Sequence, residues 1–253
     1  MNSKLTQSAQ SIIKSYEHLS IAGHDITCPY INNRKNTRRG ALRVDIGKGS
    51  AAEIVEEVEI LAARNHVDLQ NISDEKLTKF LVDKHLGLDC SAFAFYTLQA
   101  EYKEKYNTDI AKKFYFPHAK SLLRKFLTKL RPIENINVTA LAHKKNSEKI
   151  KLTDIQACDM IIMLNGGPRK DYNHVLIVTD VQASIVNYTH SFTWPSDGAY
   201  GHGIKHGTIT VTDAQKSLLD QDWQEAGKTD EDNWTYMHAK SAKEVFVARI
   251  IKK

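Results

Sequence analysis

The chain has 253 residues, of which 42% are hydrophobic and 26% are charged, and its formal net charge is +5. This length gives room for one substantial core with at most a smaller attachment, and the composition is ordinary for a soluble globular protein. A membrane-spanning protein is excluded, because no run approaches the roughly 18 consecutive apolar residues of a span. A disulfide framework and a cysteine zinc site are also excluded, because the 3 cysteines are few and lie far apart.

The beginning of the chain, Met1–Gln7, is polar and lacks the apolar core of a secretory signal. We therefore expect a cytoplasmic protein, or a secreted one if a leader has been removed. Residues 8–19 carry apolar side chains on one side, which predicts a short first helix.

Residues 28–46 contain two alternating runs around a polar turn, which predicts a hairpin. The tip of this hairpin is basic. We interpret it as a solvated turn, with contact to a polyanion or an acidic peptide as the alternative. No aromatic residues interleave with its cations, which argues against a nucleic-acid partner. These cations are Arg34, Lys35, Arg38, Arg39 and Arg43.

Three further helices are predicted along the first half of the chain. A capping box that starts at Ser50 begins the first of them, and the second starts near Ser73. The third runs from Cys90 to about Tyr106, with a stripe of apolar residues on its buried side.

These elements suggest how the chain is organised. Residues 1–84 are predicted to form a helical and hairpin N-terminal extension, followed by the main domain at 85–253. Within this domain, residues 114–150 are interpreted as an insertion that contains an amphipathic basic helix ended by Pro132.

From Leu152 onward the apolar period changes from that of helices to that of strands. A helix followed by an antiparallel meander of strands predicts an α+β fold. The predicted strands are 159–164, 174–181, 184–190, 207–212 and 245–251.

Cys90 lies between Asp89 and Ser91 where a loop gives way to a helix. Unpaired N–H groups and the positive end of the helix dipole favour a thiolate there, and a thiolate attacks carbonyl groups. The alternative is that Cys90 is a small buried hydrophobe. Asp89 either caps the helix or receives a cationic or amide group of a substrate.

His174 occupies the first position of one predicted strand, and His190 lies at the end of the next. A turn between the strands would bring both ends to one edge of the sheet. There His174 could take the proton of Cys90, and His190 could fix its tautomer. The alternative is that His174 is a structural histidine whose ring is satisfied by the backbone.

Two other groups of side chains are candidates for function. Trp194 is expected to form a wall of the cleft, with a place in the core as the alternative. His202 and His206 resemble metal ligands, but no acidic or cysteine partner stands at a defined spacing, so no metal site is predicted.

Four segments together resemble the NlpC-type papain-like cysteine peptidases of bacterial cell walls. Gly87–Ser91, with Phe93, is similar to their Asp-Cys-Ser-Gly-Phe signature, and Asp159–Ile162 is similar to their Gly-Asp-Leu strand. His174–Val178 resembles their His-Val-Gly-Ile-Tyr strand, and Val186–Ser191 resembles the strand that bears their third active-site residue.

The resemblance implies a papain-like fold, in which the helix that bears the nucleophile packs on an antiparallel sheet. It implies that Cys90 is the nucleophile, His174 the base and His190 the partner that orients the base. It further implies that Asp89 and Ser91 contact the substrate peptide, and that the Cys90 N–H helps to form an oxyanion hole.

The chain departs from the family pattern within residues 80–212, which the resemblance covers. Ala92 and Cys158 stand where the family has glycine, and the spacing from Cys90 to His174 is long because of the insertion. Ala92 narrows the space beside the thiol by one methyl group, which affects substrate fit more than catalysis.

The expected function is that of a thiol amidohydrolase, a cysteine peptidase that cleaves a cell-wall-type peptide amide through a thioester intermediate. No cofactor is expected. One alternative is an acyltransferase, deamidase or transglutaminase-like enzyme that uses the same site. A second alternative is a catalytically silent binding module, and a third is a nucleic-acid binder that uses the basic hairpin.

Overall fold

The structure is a computed structural model that describes residues 3–32 and 42–251. It shows an α+β fold, in which helices cover a large antiparallel sheet. The helices of the described residues are α1 (Gln7–Glu17), α2 (Ala51–Arg64), α3 (Asp74–Asp83), α4 (Cys90–Tyr106), α5 (Ile110–Lys113), α6 (Leu122–Leu130), α7 (Pro132–Asn135), α8 (Val138–Leu141) and α9 (Trp234–Ser241).

The strands follow the same chain order, and the predicted change to a strand period after Leu152 is confirmed. All five predicted strands are present, with ends that differ by a few residues. The strands are β1 (Ser3–Lys4), β2 (Leu19–Ile21), β3 (His24–Ile26), β4 (Ser147–Ile150), β5 (Met160–Gly166), β6 (Tyr172–Gln182), β7 (Ile185–Phe192), β8 (Gly203–Thr210), β9 (Asp222–Glu225), β10 (Lys228–Thr229) and β11 (Glu244–Ile250).

The large sheet has the strand order β10-β9-β8-β7-β6-β5-β11-β4, and β1 pairs with β6 outside this path. The strands β5 to β9 are joined by antiparallel ladders between chain neighbours, so the centre of the sheet is a meander. The edge strand β4 comes from the predicted insertion and pairs with β11, so the end of that segment belongs to the sheet.

Side-chain alternation along β5 and β6 gives the sheet two apolar faces. The face that packs against α4 contains Met160, Ile162, Val175 and Ile177. The opposite face packs against α9 and contains Ile161, Met163, Leu176 and Val178.

The helix α4 lies at the centre of the larger apolar core. It carries buried residues on all sides, because it packs on the sheet and also against α1. Tyr16 of α1 meets Phe93 of α4 with ring centroids 6.0 Å apart, and Ser3 of β1 pairs with Val181. The core therefore runs across the predicted boundary at residue 84.

The helix starts read from the sequence are confirmed at Ser50 and Ser73. Ser50 caps α2 and forms a reciprocal capping box with Glu53, and the Ser73 side chain caps α3. The predicted hairpin over 28–46 is wrong on its second side, because Val44–Ile46 forms a turn of 3₁₀ helix. The cations Arg34, Lys35, Arg38 and Arg39 lie outside the described residues.

Candidate active site

Cys90 is the first residue of α4, at the point where the loop Leu86–Asp89 joins the helix. Asp89 is the N-cap, and its carboxylate accepts a hydrogen bond from the Ala92 N–H at 2.8 Å. This cap supplies a partner for one of the N–H groups that a helix start leaves unpaired. Of the two roles predicted for Asp89, a helix cap or a contact with substrate, the structure shows the cap.

The junction between loop and helix meets β6 and β7 where these strands separate. Their ladder ends at Ile177 and Thr189. Beyond that point the Ser191 hydroxyl donates to the Leu88 carbonyl at 2.8 Å, and the Val175 N–H forms a hydrogen bond that favours the thiolate of Cys90. The thiol is thus held against the residue that directly follows His174.

Cys90 opens into a cleft of about 280 Å³ and is 6% exposed. One wall contains Tyr30, whose hydroxyl lies 3.1 Å from the hydroxyl of Tyr172. The other walls are formed by residues 137–139 and 171–173, which are mostly polar. The cleft therefore offers hydrogen-bonding groups along the approach to the thiol.

The structure brings the two predicted histidines into direct contact. His174 Nε2 lies 2.7 Å from His190 Nδ1, and both side chains are fully buried. His190 Nε2 lies 3.0 Å from a carboxylate oxygen of Glu225, which also accepts a hydrogen bond from the Tyr188 hydroxyl at 2.9 Å. Glu225, His190 and His174 therefore form a continuous relay.

This relay fixes the position of each ring proton. The carboxylate of Glu225 accepts a hydrogen bond, so the proton of a neutral His190 is on Nε2 and its Nδ1 is an acceptor. His174 must then donate from Nε2, which leaves the lone pair on its Nδ1. That Nδ1 atom is buried and has no hydrogen-bond partner among the described residues. It is the one nitrogen of the relay that is able to take a proton.

Strand alternation directs His174 towards the face that packs against α9, whereas Cys90 belongs to α4 on the other face. The His174 ring lies 4.3 Å from that of Phe192 and 5.9 Å from that of His238 in α9, measured between centroids. No hydrogen bond joins Cys90 to His174 in the described part of the chain. The Val175 N–H, one residue along β6 from His174, contacts Cys90.

The pKa values of Cys90 and His174 are both shifted in the direction that favours the uncharged form. Burial, together with a smaller effect of the negative charge of Asp89, raises the pKa of the Cys90 thiol to about 12. The ammonium of Lys48 and two backbone N–H groups lower this pKa, but their effect is smaller. Burial also holds the pKa of His174 well below its usual range, with a further contribution from His190. The resting pair is therefore neutral, although the helix start alone would favour a thiolate.

We expect Cys90 to react with iodoacetamide more slowly at pH 7 than an unstructured peptide cysteine does, with a rate that still rises above pH 8.5. The reason is that a raised pKa lowers the thiolate fraction at neutral pH. Peptide mass spectrometry would separate its rate from those of Cys28 and Cys158. Fast labelling at pH 6 would instead indicate a preformed thiolate.

Sequence reasoning missed Lys48, which lies buried beside Cys90. Its ammonium contacts Asp89 Oδ2 at 2.5 Å, donates to Ser91 Oγ at 2.7 Å, and donates to the Ile136 carbonyl at 2.9 Å. These contacts use all three of its N–H groups. Asp89 and Ser91, which the resemblance assigns to the substrate, are thus occupied by a cation of this chain.

The backbone before Lys48 explains how the lysine reaches this position. Gly47 has a left-handed φ of 73°, and a Cβ added there would lie 2.6 Å from the Ile31 carbonyl oxygen. Only glycine allows this close approach. The Gly47 carbonyl accepts a hydrogen bond from the Asp89 N–H at 2.9 Å, which fixes the loop against the start of α4.

Trp194 lies away from the cleft. Its ring is buried, and its Nε1 donates to Thr235 Oγ1 at 3.1 Å at the start of α9. It is therefore a core residue, and the aromatic walls of the cleft are Tyr30 and Tyr172.

The two histidines considered as metal ligands have separate partners. His202 Nδ1 accepts a hydrogen bond from the Tyr30 N–H at 3.1 Å. His206 contacts the Glu17 carboxylate at 2.6 Å. Among the described residues, no group of three or more His, Cys, Asp or Glu side chains has the arrangement of a metal site.

Comparison of this chain with protein-family models, with curated proteins and with solved structures finds no match.

Proposed function

We propose that this protein is a cysteine amidohydrolase with a papain-like arrangement of nucleophile and base. The observation that carries the proposal is the unpaired Nδ1 lone pair of His174, fixed by His190 and Glu225, on the strand that contacts the Cys90 thiol. Most buried polar side-chain atoms have a hydrogen-bond partner, and among the described histidines only His174 Nδ1 and His238 Nε2 are buried without one. A buried imidazole with one free acceptor, on the strand whose Val175 N–H contacts the thiol, fits the role of a general base.

In the proposed reaction, the Cys90 sulfur attacks the carbonyl carbon of an amide while its proton passes to His174 Nδ1. The C–N bond then breaks, the same proton goes to the leaving amine, and a thioester remains on Cys90. Water attacks the thioester, with His174 again as base, and releases a carboxylic acid and the free thiol. Glu225 stabilises the imidazolium through His190.

Groups around the thiol would stabilise charge as it forms. The N–H groups of Val175 and Ser91 and the positive charge of Lys48 all favour the thiolate of Cys90. The Cys90 N–H, at the start of α4, would donate to the developing oxyanion. Catalytic hydrogen bonds often tighten only when substrate is bound. In the proposed mechanism, Cys90 and His174 are therefore neutral and unbonded at rest, and their hydrogen bond forms in the complex with substrate.

We propose a peptide of the cell-wall type as the substrate. The resemblance to NlpC-type peptidases supports this class, and so does the cleft, where Asn32, Asn137, Asp171 and Asn173 provide donors and acceptors suited to peptide groups. A cytoplasmic or a secreted site of action is compatible with this chemistry.

The test is to incubate purified cell-wall peptides with the protein in ¹⁸O-labelled water and to analyse the products by mass spectrometry. We expect new amine and acid ends, with ¹⁸O in the acid, for the wild type and for a Cys158→Ala control but not for Cys90→Ala. Acylation of an added amine without ¹⁸O uptake would favour the acyltransferase alternative. Unchanged peptides and an unmodified Cys90 would contradict the proposal.

We expect Glu225→Gln to lower kcat on such a peptide by about 100-fold or more, with little change in KM. The glutamine amide is able to donate to His190 Nε2, which would reverse both hydrogen bonds of the relay and place the proton on His174 Nδ1. Steady-state kinetics would measure the effect. Gln224→Ala, an exposed position on the same strand, is the control, and equal activity of both variants would rule out the relay.

A further inference from the structure

The helix α6 exposes an apolar stripe that the core does not cover. It has 9 residues and begins after Ser121, whose side chain caps it, and Thr128 is its only buried residue. Five large apolar side chains are exposed to an extent that is rare for these residue types. They are Leu122 (84%), Leu123 (69%), Phe126 (59%), Leu127 (42%) and Leu130 (62%).

The positions of these side chains place them together. They recur at intervals of three and four residues, which puts them on one side of a helix as neighbours. A contiguous apolar stripe of this kind on a protein surface marks an interaction site, whereas single exposed hydrophobic residues scattered over a surface are ordinary.

The residues around the stripe have one sign of charge. No Asp or Glu occurs from Pro117 to Ile133, and this segment contains five cations. Arg131 is paired with Glu134 at 2.9 Å, whereas the other four belong to no ion pair in the described part of the chain. The five cations are Lys120, Arg124, Lys125, Lys129 and Arg131.

We propose that α6 docks this protein onto an anionic lipid surface. Leucine and phenylalanine on one side of a helix, with lysine and arginine beside them, is the pattern of helices that lie in the membrane interface. The apolar stripe would enter the boundary between headgroups and acyl chains, and the cations would contact lipid phosphates. None of the described helices has the length and apolarity to cross a membrane, so α6 would lie along the surface.

The place of α6 in the chain connects the docking surface with the cleft. The short helix α7 follows it directly, and the next residue, Ile136, offers its carbonyl to Lys48. Residues 137–139 then line the cleft that contains Cys90. A membrane-docked α6 would therefore hold this cleft close to the lipid surface. The docking itself does not depend on the proposed function.

The test is flotation of the full chain with phosphatidylcholine vesicles that contain or lack phosphatidylglycerol. We expect the wild type to float only with the anionic vesicles and to dissociate as salt is raised. The double variant Leu123→Ser/Phe126→Ser should lower the bound fraction about tenfold or more, because it removes apolar groups that enter the interface. Lys125→Glu/Lys129→Glu should have a similar effect.

Ile185→Ser is the matched control, because Ile185 is a 43% exposed apolar residue on β7, outside α6. It should bind vesicles as the wild type does, and thermal unfolding would check that all variants are folded. Equal binding to neutral and anionic vesicles, or no binding, would overturn the proposal. Sedimentation velocity without lipid adds a further check. A wild-type dimer that Leu123→Ser/Phe126→Ser converts to monomer, without vesicle binding, would show that α6 contacts a second copy instead.

Discussion

Replacement of His174 by alanine is expected to lower kcat/KM for amide hydrolysis by about 10³- to 10⁴-fold. The variant loses the only nitrogen of the relay that is free to take the Cys90 proton. Because the pKa of the thiol is raised to about 12, little thiolate forms without a base, and residual activity should increase with pH. Steady-state kinetics on the peptide found in the ¹⁸O screen would measure both effects.

The double variant Cys90→Ala/His174→Ala provides the sharper form of this test. If the two residues act in one step, the double variant should lose no more activity than Cys90→Ala alone. His206→Ala is the control, because His206 is an exposed histidine on β8 that pairs with Glu17 and does not line the cleft. Its replacement should leave activity unchanged. Losses that multiply, or full activity of His174→Ala, would show that the residues act separately.

The acid side of the pH profile follows from the same burial. His174 must be neutral to act as a base, and its pKa is held well below the usual range of histidine. Acid therefore removes the active form only at a pH well below 6.5. The pH profile of kcat/KM should therefore keep its activity at a pH where a histidine of ordinary pKa would already be protonated.

Local patterns in the sequence predicted α1 to α4, α6 and the central strands, since these depend on periodicity and capping, whereas the short helices α5 and α7 to α9 were not predicted. Ser50, Ser73 and Asp89 cap helices as their side chains suggest, and the strands with His174 and His190 are neighbours. The pairing of the histidines follows from a short antiparallel connection, which sequence spacing alone specifies well.

The parts of the site that sequence reasoning missed depend on contacts between distant segments. Lys48 reaches Ser91 across 43 positions, and Glu225 reaches His190 across 35. For Glu225 a signal existed, because it lies two positions after Trp223 on one strand. The two side chains therefore share a face, and Trp223 makes that face apolar and buried. For Lys48 no local pattern distinguishes it from a solvated lysine.

Burial also decides the two interpretations that local chemistry left open. The helix start favours a thiolate at Cys90, but desolvation has the larger effect on its pKa. Trp194 follows a strand that ends near the cleft, yet packing against α9 turns its ring into the core. Neither outcome is encoded in the neighbouring residues, because both depend on which elements cover the site.

The substitution Lys48→Met is expected to lower the free energy of unfolding by about 3 kcal/mol. The two side chains of the Lys48–Asp89 pair are 8% and 16% exposed, so removal of the lysine leaves a carboxylate in a poorly hydrated position. It also leaves Ser91 Oγ and the Ile136 carbonyl without their ammonium donor. Urea denaturation at pH 7 would measure the change.

The control is Lys149→Met, since Lys149 and Glu244 form an ion pair whose side chains are 65% and 47% exposed. Its cost should be below about 1 kcal/mol. Adding Asp89→Asn to Lys48→Met should restore stability, because asparagine keeps the helix cap and removes the buried charge. Equal costs for both lysines would contradict a buried pair. A large loss of stability in Lys48→Met that Asp89→Asn restores would mean that Lys48 is the cation that neutralises Asp89. A substrate amine would then not be needed at this position.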